Sequence, residues 1–174
     1  MNPLINATTN VSGSSSVLEA MNKVGLNWTA VKEELNFPDG SPSGAYGLRR
    51  SDNNFVISRG RSVGPNWTPL QNAKKFEVFQ KFVDAGKVSI DGAGIFHGGA
   101  VVFIIGKVIG GESDITPGDV INQYLMVSDA FDGSKSVRFG APAFRPFCEN
   151  ALARVHRHKD SKLIRMRHSL DIEE

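Results

Sequence analysis

The sequence predicts an α+β domain: a largely antiparallel sheet built from β-hairpins, with helices packed on one face. Three observations carry this. Apolar runs over 88–96 and 100–109 straddle His97-Gly98-Gly99, and runs over 124–127 and 137–139 straddle Asp132-Gly133-Ser134, so each pair reads as a hairpin. Two segments, 17–24 and the stretch after Asn72, repeat their apolar residues at helical spacing instead. With 174 residues and 40% hydrophobic content the chain suits a single core and is short for two ordinary domains.

The elements follow in order. Residues 1–16 are rich in Asn, Thr, Ser and Gly without periodicity and read as a flexible arm, leaving 17–174 as the folded domain with a basic C-terminal helix and strand region. Ser16 and Glu19 have capping-box spacing; Val17, Leu18, Met21 and Val24 share a face, and Gly25 offers a stop. Residues 26–35 open with alternation and read as a strand. Pro38-Asp39-Gly40 and Pro42-Ser43-Gly44 form a loop, after which 46–50 and 55–59 flank Ser51-Asp52-Asn53-Asn54 as a first hairpin. Pro65 and Pro69 keep 63–72 out of any central strand, and Asn72 is placed to cap the next helix. That helix turns Phe76, Phe79, Phe82 and Val83 to the core and Lys74, Lys75, Glu77, Gln80 and Lys81 to water. The returning strand over 100–109 is apolar on both faces and belongs in the middle of a sheet. Residues 110–118 read as a surface loop. Pro146 suits the first turn of a helix reaching about Lys159, and 163–168 suits a last short strand.

Several function classes lack support. The longest apolar run, 100–105, is too short to span a bilayer, and no basic-then-apolar leader opens the chain, so no membrane partner is expected. The single cysteine, Cys148, precludes an internal disulfide and fits a reducing, cytoplasmic setting. Cys148 could be paired with His97 or His156 as nucleophile and base, but a lone cysteine beside Phe147 reads better as a small buried hydrophobe. His156 and His158 diverge on a helix and have no supporting ligands, so zinc is not expected. Gly92-Ala93-Gly94 and Gly98-Gly99 lack a phosphate-loop fingerprint and read as hairpin turns. Asp91, Asp114, Asp119, Asp129 and Asp132 are read as turn residues capping backbone amides. No catalytic residue and no cofactor is expected.

Charge points elsewhere. The formal net charge is only +2, yet Arg145, Arg154, Arg157, Lys159, Lys162, Arg165 and Arg167 crowd the C-terminal region against Glu149 and Asp160. Arg154 and Arg157 lie one turn apart on the expected helix, spaced to meet successive phosphates. Arg59 and Arg61, with Arg49 and Arg50 nearby, share a face of the first hairpin, where Tyr46, Phe55 and Trp67 offer rings on which bases stack.

An ordered set of residues then becomes familiar: Trp67 to Asn72, Gly92-Ala93-Gly94 with Gly98-Gly99, Tyr124-Leu125, Asp132-Gly133-Ser134, Val137-Arg138, Pro142, Arg145, Cys148, Asn150, Leu152, Ile164-Arg165 and Arg167-His168-Ser169. Together they resemble a phage/plasmid-like protein family, the domain of unknown function 932, over most of the chain from about Gly25 to Ser169. Members of that family generally continue into a longer helical C-terminal part. The resemblance implies a bacteriophage or mobile-element setting with DNA handling, and the order of elements is similar in topology to ring-forming single-strand annealing proteins. The expectation is a non-catalytic, homo-oligomeric protein of the host-cell cytoplasm that binds single-stranded DNA and promotes annealing or recombination. Its phosphate contacts would be Arg59, Arg61, Arg138, Arg145, Arg154, Arg157, Lys159, Arg165 and Arg167. The alternative is a phage structural or host-interaction protein that self-assembles without nucleic acid.

Overall fold

A computed structural model describes residues 7–116 and 119–168. Its fold is α+β with antiparallel pairing throughout. A six-stranded sheet runs in the order β1 (Ala7–Asn10), β4 (Val88–Phe96), β5 (Val101–Thr116), β6 (Asp119–Ala130), β7 (Val137–Ala141) and β8 (Lys162–Met166). A separate two-stranded ribbon pairs β2 (Ala30–Asn36) with β3 (Pro42–Arg50). Three helices complete it: α1 (Val17–Val24), α2 (Asn72–Asp84) and α3 (Glu149–Val155).

The helix ends show local chemistry at work. Ser16 Oγ accepts the Glu19 N–H at 3.1 Å, the Glu19 carboxylate reaches back past the cap to accept from Ser15 N at 2.8 Å, and Gly25 ends α1 with φ 70°. In α2 the cap is Gln71 rather than Asn72. Asn72 is already helical and buried, and its amide donates to the Leu26 carbonyl at 3.1 Å, tying α2 to the end of α1. Lys75, expected in water, is also buried. It meets Asp129 of β6 at 2.7 Å and lies over the Phe131 ring at 4.0 Å. Asp129 is therefore a core residue and not a turn cap. It also contacts His168 Nε2 at 2.8 Å, and His168 in turn touches the Thr68 carbonyl and stacks on Trp67 at 4.4 Å.

The strands correct several readings. Residues 7–10 of the supposed arm pair with β4 from Ala7↔Ile95 to Asn10↔Gly92, and Val11 is fully buried; residues 1–6 lie outside the described part. The partner of β3 is β2 and not 55–59, which among the described residues makes one isolated bridge, Arg49↔Val56; a second, Tyr46↔Val63, lies further along the chain. The 51–54 turn survives, but the chain after it curls away, with Arg59 at φ 53°. Residues 110–116 continue β5 instead of looping. Gly92 and Gly94 lie inside β4, where a Cβ on Gly94 would collide with the Phe103 ring; Gly98 and Gly99 do form the turn.

The fold class holds, but the helices do not share one face. Alternation along β5 sends Val102 and Ile104 to a core shared with α1, α2 and the ribbon, and Val101, Phe103 and Ile105 to a second core under Leu152 and Val155 of α3. A strand that is apolar on both sides needs both sides covered, and α3 supplies the second cover. A bulge after Ile90 keeps β4 in phase, so Ile90 and Ala93 both reach the first core.

Candidate nucleic-acid interface

The cationic face is built by β6, β7, β8 and the segment that follows α3. Asp132 Oδ1 accepts from Ser134 N at 3.0 Å and Gly133 takes φ 69°, the turn that returns the chain into β7. Register then places Ser128 of β6 beside Arg138 of β7, and Arg138 beside Arg165 of β8. Paired residues project to the same side, so the three make a row across the sheet. This is the face that α3 covers.

α3 starts three residues later than Pro146 suggested. Cys148 is its N-cap, with Sγ accepting from Ala151 N at 3.4 Å, a structural use of the thiol. The helix ends at Val155, and its C-cap His156 comes down on the row. His156 Nε2 lies 2.9 Å from Ser128 Oγ, and Arg138 Nη1 donates to the His156 carbonyl at 2.7 Å. The chain then turns through His158 to Ser161, which accepts the Ala143 N–H at 2.9 Å, and enters β8. Between this turn and the strands lies an open groove of about 470 Å³, lined by Arg138, His156, Arg157, His158, Ser161, Leu163 and Arg165.

The electrostatics are one-sided. Among the described residues no carboxylate lines the groove; Asp160, whose carboxylate stands 3.7 Å from His158, is not one of its lining residues. Burial pushes the Arg138 guanidinium below its ordinary value, and Arg165 directly opposite pushes it further. Burial, then the charges of Arg138, Lys135 and Arg165, lower His156 to about 3, so its imidazole is neutral at physiological pH. Lys135 is depressed first by burial, against the pull of Glu149 and Asp132. Two buried polar atoms here have no hydrogen-bond partner among the described residues: Arg138 Nε and His156 Nδ1.

Of the expected phosphate ligands, Arg138, Arg157 and Arg165 converge. The others do not line the groove. Arg145 reaches back to Asp91 of β4 at 2.5 Å, and Arg59 pairs with Asp132 at 3.4 Å. Arg154 lies on exposed α3 surface with its guanidinium 5.9 Å from the Phe144 ring; Arg61, Lys159 and Arg167 are exposed. Arg59 and Arg61 share no strand face, because the hairpin that would have aligned them does not form. Arg154 and Arg157 share no helix face either, since Arg157 lies past the helix end. Sequence reasoning missed Lys135, Ser161 and the placement of the two histidines. The hint for Lys135 was its position between the turn and β7, two residues before the strand resumes.

Among the described residues no group of three or more His, Cys, Asp or Glu is placed to hold a metal ion, and no helix is long and apolar enough to cross a membrane. No curated protein and no solved structure matches the chain. Residues 61–174 match the family model described as Domain of unknown function (DUF932). That match takes in every element from α2 to β8, the whole groove included, and the chain belongs to the DUF932 family.

Proposed function

We propose that the protein binds single-stranded DNA, the phosphate backbone lying across β7, β8 and the turn after α3, and that it acts without catalysis in strand annealing or recombination in the cytoplasm of a cell carrying a phage or mobile element. The observation that carries this reading is the groove: three arginines around one depression with no carboxylate lining it among the described residues. Solvated surfaces interleave charges of both signs, and two arginines directly opposite across a strand pair repel each other. An anion relieves that repulsion. Backbone phosphates are the anions a strand presents at regular spacing.

The test is fluorescence anisotropy of a labelled oligothymidine at low salt. Saturable binding that weakens as salt rises, and weakens further in Arg157→Glu and Arg165→Glu, supports the reading. Absence of binding at low salt overturns it.

A second reading has its own observation. On the face of β8 opposite Arg165, Ile164 is 65% and Met166 40% exposed, beside Phe139 and the half-exposed Phe82, on the outermost strand of the sheet. An apolar edge strand is a site for self-association or for a host factor. Light scattering with and without the oligonucleotide separates the two: assembly indifferent to DNA favours an interaction protein, whereas assembly on DNA favours an annealing oligomer.

A further inference from the structure

Resting on the single-strand reading above, we infer that the groove is a socket for one phosphate group, gripped by Arg138, Arg157 and Arg165 and contacted by the ring of His156. The phosphate is the ligand the chemistry selects, because the groove's arginines are donors and Arg138 Nε has no acceptor among the described residues. Arg138 is held by a single bond from Nη1 to the His156 carbonyl, which leaves Nε, a donor with no acceptor, in a buried position. Arg guanidinium groups have five N–H donors and no acceptor, so what Nε lacks is an acceptor oxygen of the kind a phosphate presents.

His156 adds the second observation. The residue is 7% exposed, lines the groove, and is held at Nε2 by the fully buried hydroxyl of Ser128, whose only hydrogen-bond partner among the described residues is that ring. A neutral imidazole has one N–H and one bare nitrogen. When the Ser128 hydroxyl donates to Nε2, the proton resides on Nδ1, the nitrogen left without a partner. Nδ1–H and Arg138 Nε–H are then two orphaned buried donors at one site. Leaving either unmet forfeits the hydration it had in water, and one phosphate, with several acceptor oxygens, meets both. Arg157 and Arg165, exposed at the rim, supply charge without needing burial.

The volume sharpens the ligand. About 470 Å³ admits a phosphate with an attached nucleoside and not a long run of strand. The phosphate has two sources, a terminal monoester or an internal phosphodiester, and the same cradle suits both.

The experiment records the ring resonances of His156 by NMR in the full chain while inorganic phosphate is added, then repeats the titration with oligothymidines of one length that are unphosphorylated, 5′-phosphorylated or 3′-phosphorylated. Saturable shifts of the His156 ring with inorganic phosphate, lost in Arg165→Gln and retained in Lys74→Gln on exposed α2, support the socket. A preference of tenfold or more for one phosphorylated end assigns it to a terminal phosphate, and equal affinity for all three oligonucleotides assigns it to the phosphodiester. Oligonucleotide binding that leaves the His156 ring unmoved overturns the socket while sparing the single-strand reading. Phosphate shifts without any oligonucleotide binding do the reverse. Because Arg165 is exposed, its replacement leaves the core intact, and an unchanged unfolding midpoint confirms that the loss is one of contact.

Discussion

His156 illustrates how one residue serves two ends. Its ring is uncharged because burial and three cations hold its protonation down to about 3 from an ordinary 6.5. Between those values the unfolded chain takes up a proton that the folded chain refuses, so stability is full above about 6.5 and falls as pH drops through the window, at up to about 1.4 kcal/mol per pH unit. Urea midpoints at pH 7 and pH 5 should therefore lie closer together in His156→Gln than in the wild type; an equal gap in both would show that the ring does not titrate this way. Lys75 presents the opposite case, a charge buried on purpose beside another. Burial lowers its pKa against the pull of Asp129; at Asp129, burial, which opposes ionisation, is outweighed by Lys75 and His168. Lys75→Met leaves the carboxylate facing a hydrocarbon chain, and a loss of about 3–5 kcal/mol is expected in denaturant unfolding. Neither residue could be placed from sequence. Lys75 sits at a helix position that periodicity assigns to water, and its burial follows from a partner more than fifty positions away in the chain.

At the scale of elements, the local signals did well and the long-range ones did not. Ser16, Glu19 and Gly25 act within a few residues of one another, so α1 was readable from its own letters. The turn at Asp132-Gly133-Ser134 was readable for the same reason. By contrast, 46–50 had two possible partners of similar pattern, and the sheet chose β2, upstream, over the segment downstream. Pairing choice of this kind rests on tertiary fit rather than strand propensity. The basic block was also visible, yet its convergence depended on β8 pairing with β7 in the register that sets Arg165 against Arg138. That register relies on Gly140. At φ 143° it lies where side chains rarely fit, and a Cβ there would collide with the Lys162 carbonyl oxygen. Gly140→Ala should push β8 away from β7, destabilise the fold by about 1–3 kcal/mol, and weaken oligonucleotide binding more than Arg157→Glu does. Anisotropy alongside thermal melting measures both; unchanged binding would mean that the β7–β8 register does not shape the groove.

For the whole molecule, charge is concentrated and not abundant. A net charge of +2 would give little attraction if spread evenly, whereas the sheet gathers Arg138, Arg157 and Arg165 into one depression. One phosphate held by all three arginines predicts a slope of roughly −0.7 for log K against log salt on single strands, and three backbone phosphates met by one arginine each predict roughly −2. A slope near zero would remove the phosphate argument, and a much steeper one would bring in Arg154, Lys159 and Arg167 from the surface or arginines of neighbouring subunits. The two-sided cover over β5 has a consequence of another kind. With α1 and α2 on one face, α3 on the other, and β4 and β6 along both edges, the amides over 101–105 meet solvent only when the molecule opens as a unit. In deuterium they should be the last to exchange, at a rate set by global opening, while those of β1 and β8 exchange through local fraying. The slowest clock in this protein therefore runs in its middle strand, and the fastest along the strand that carries Arg165.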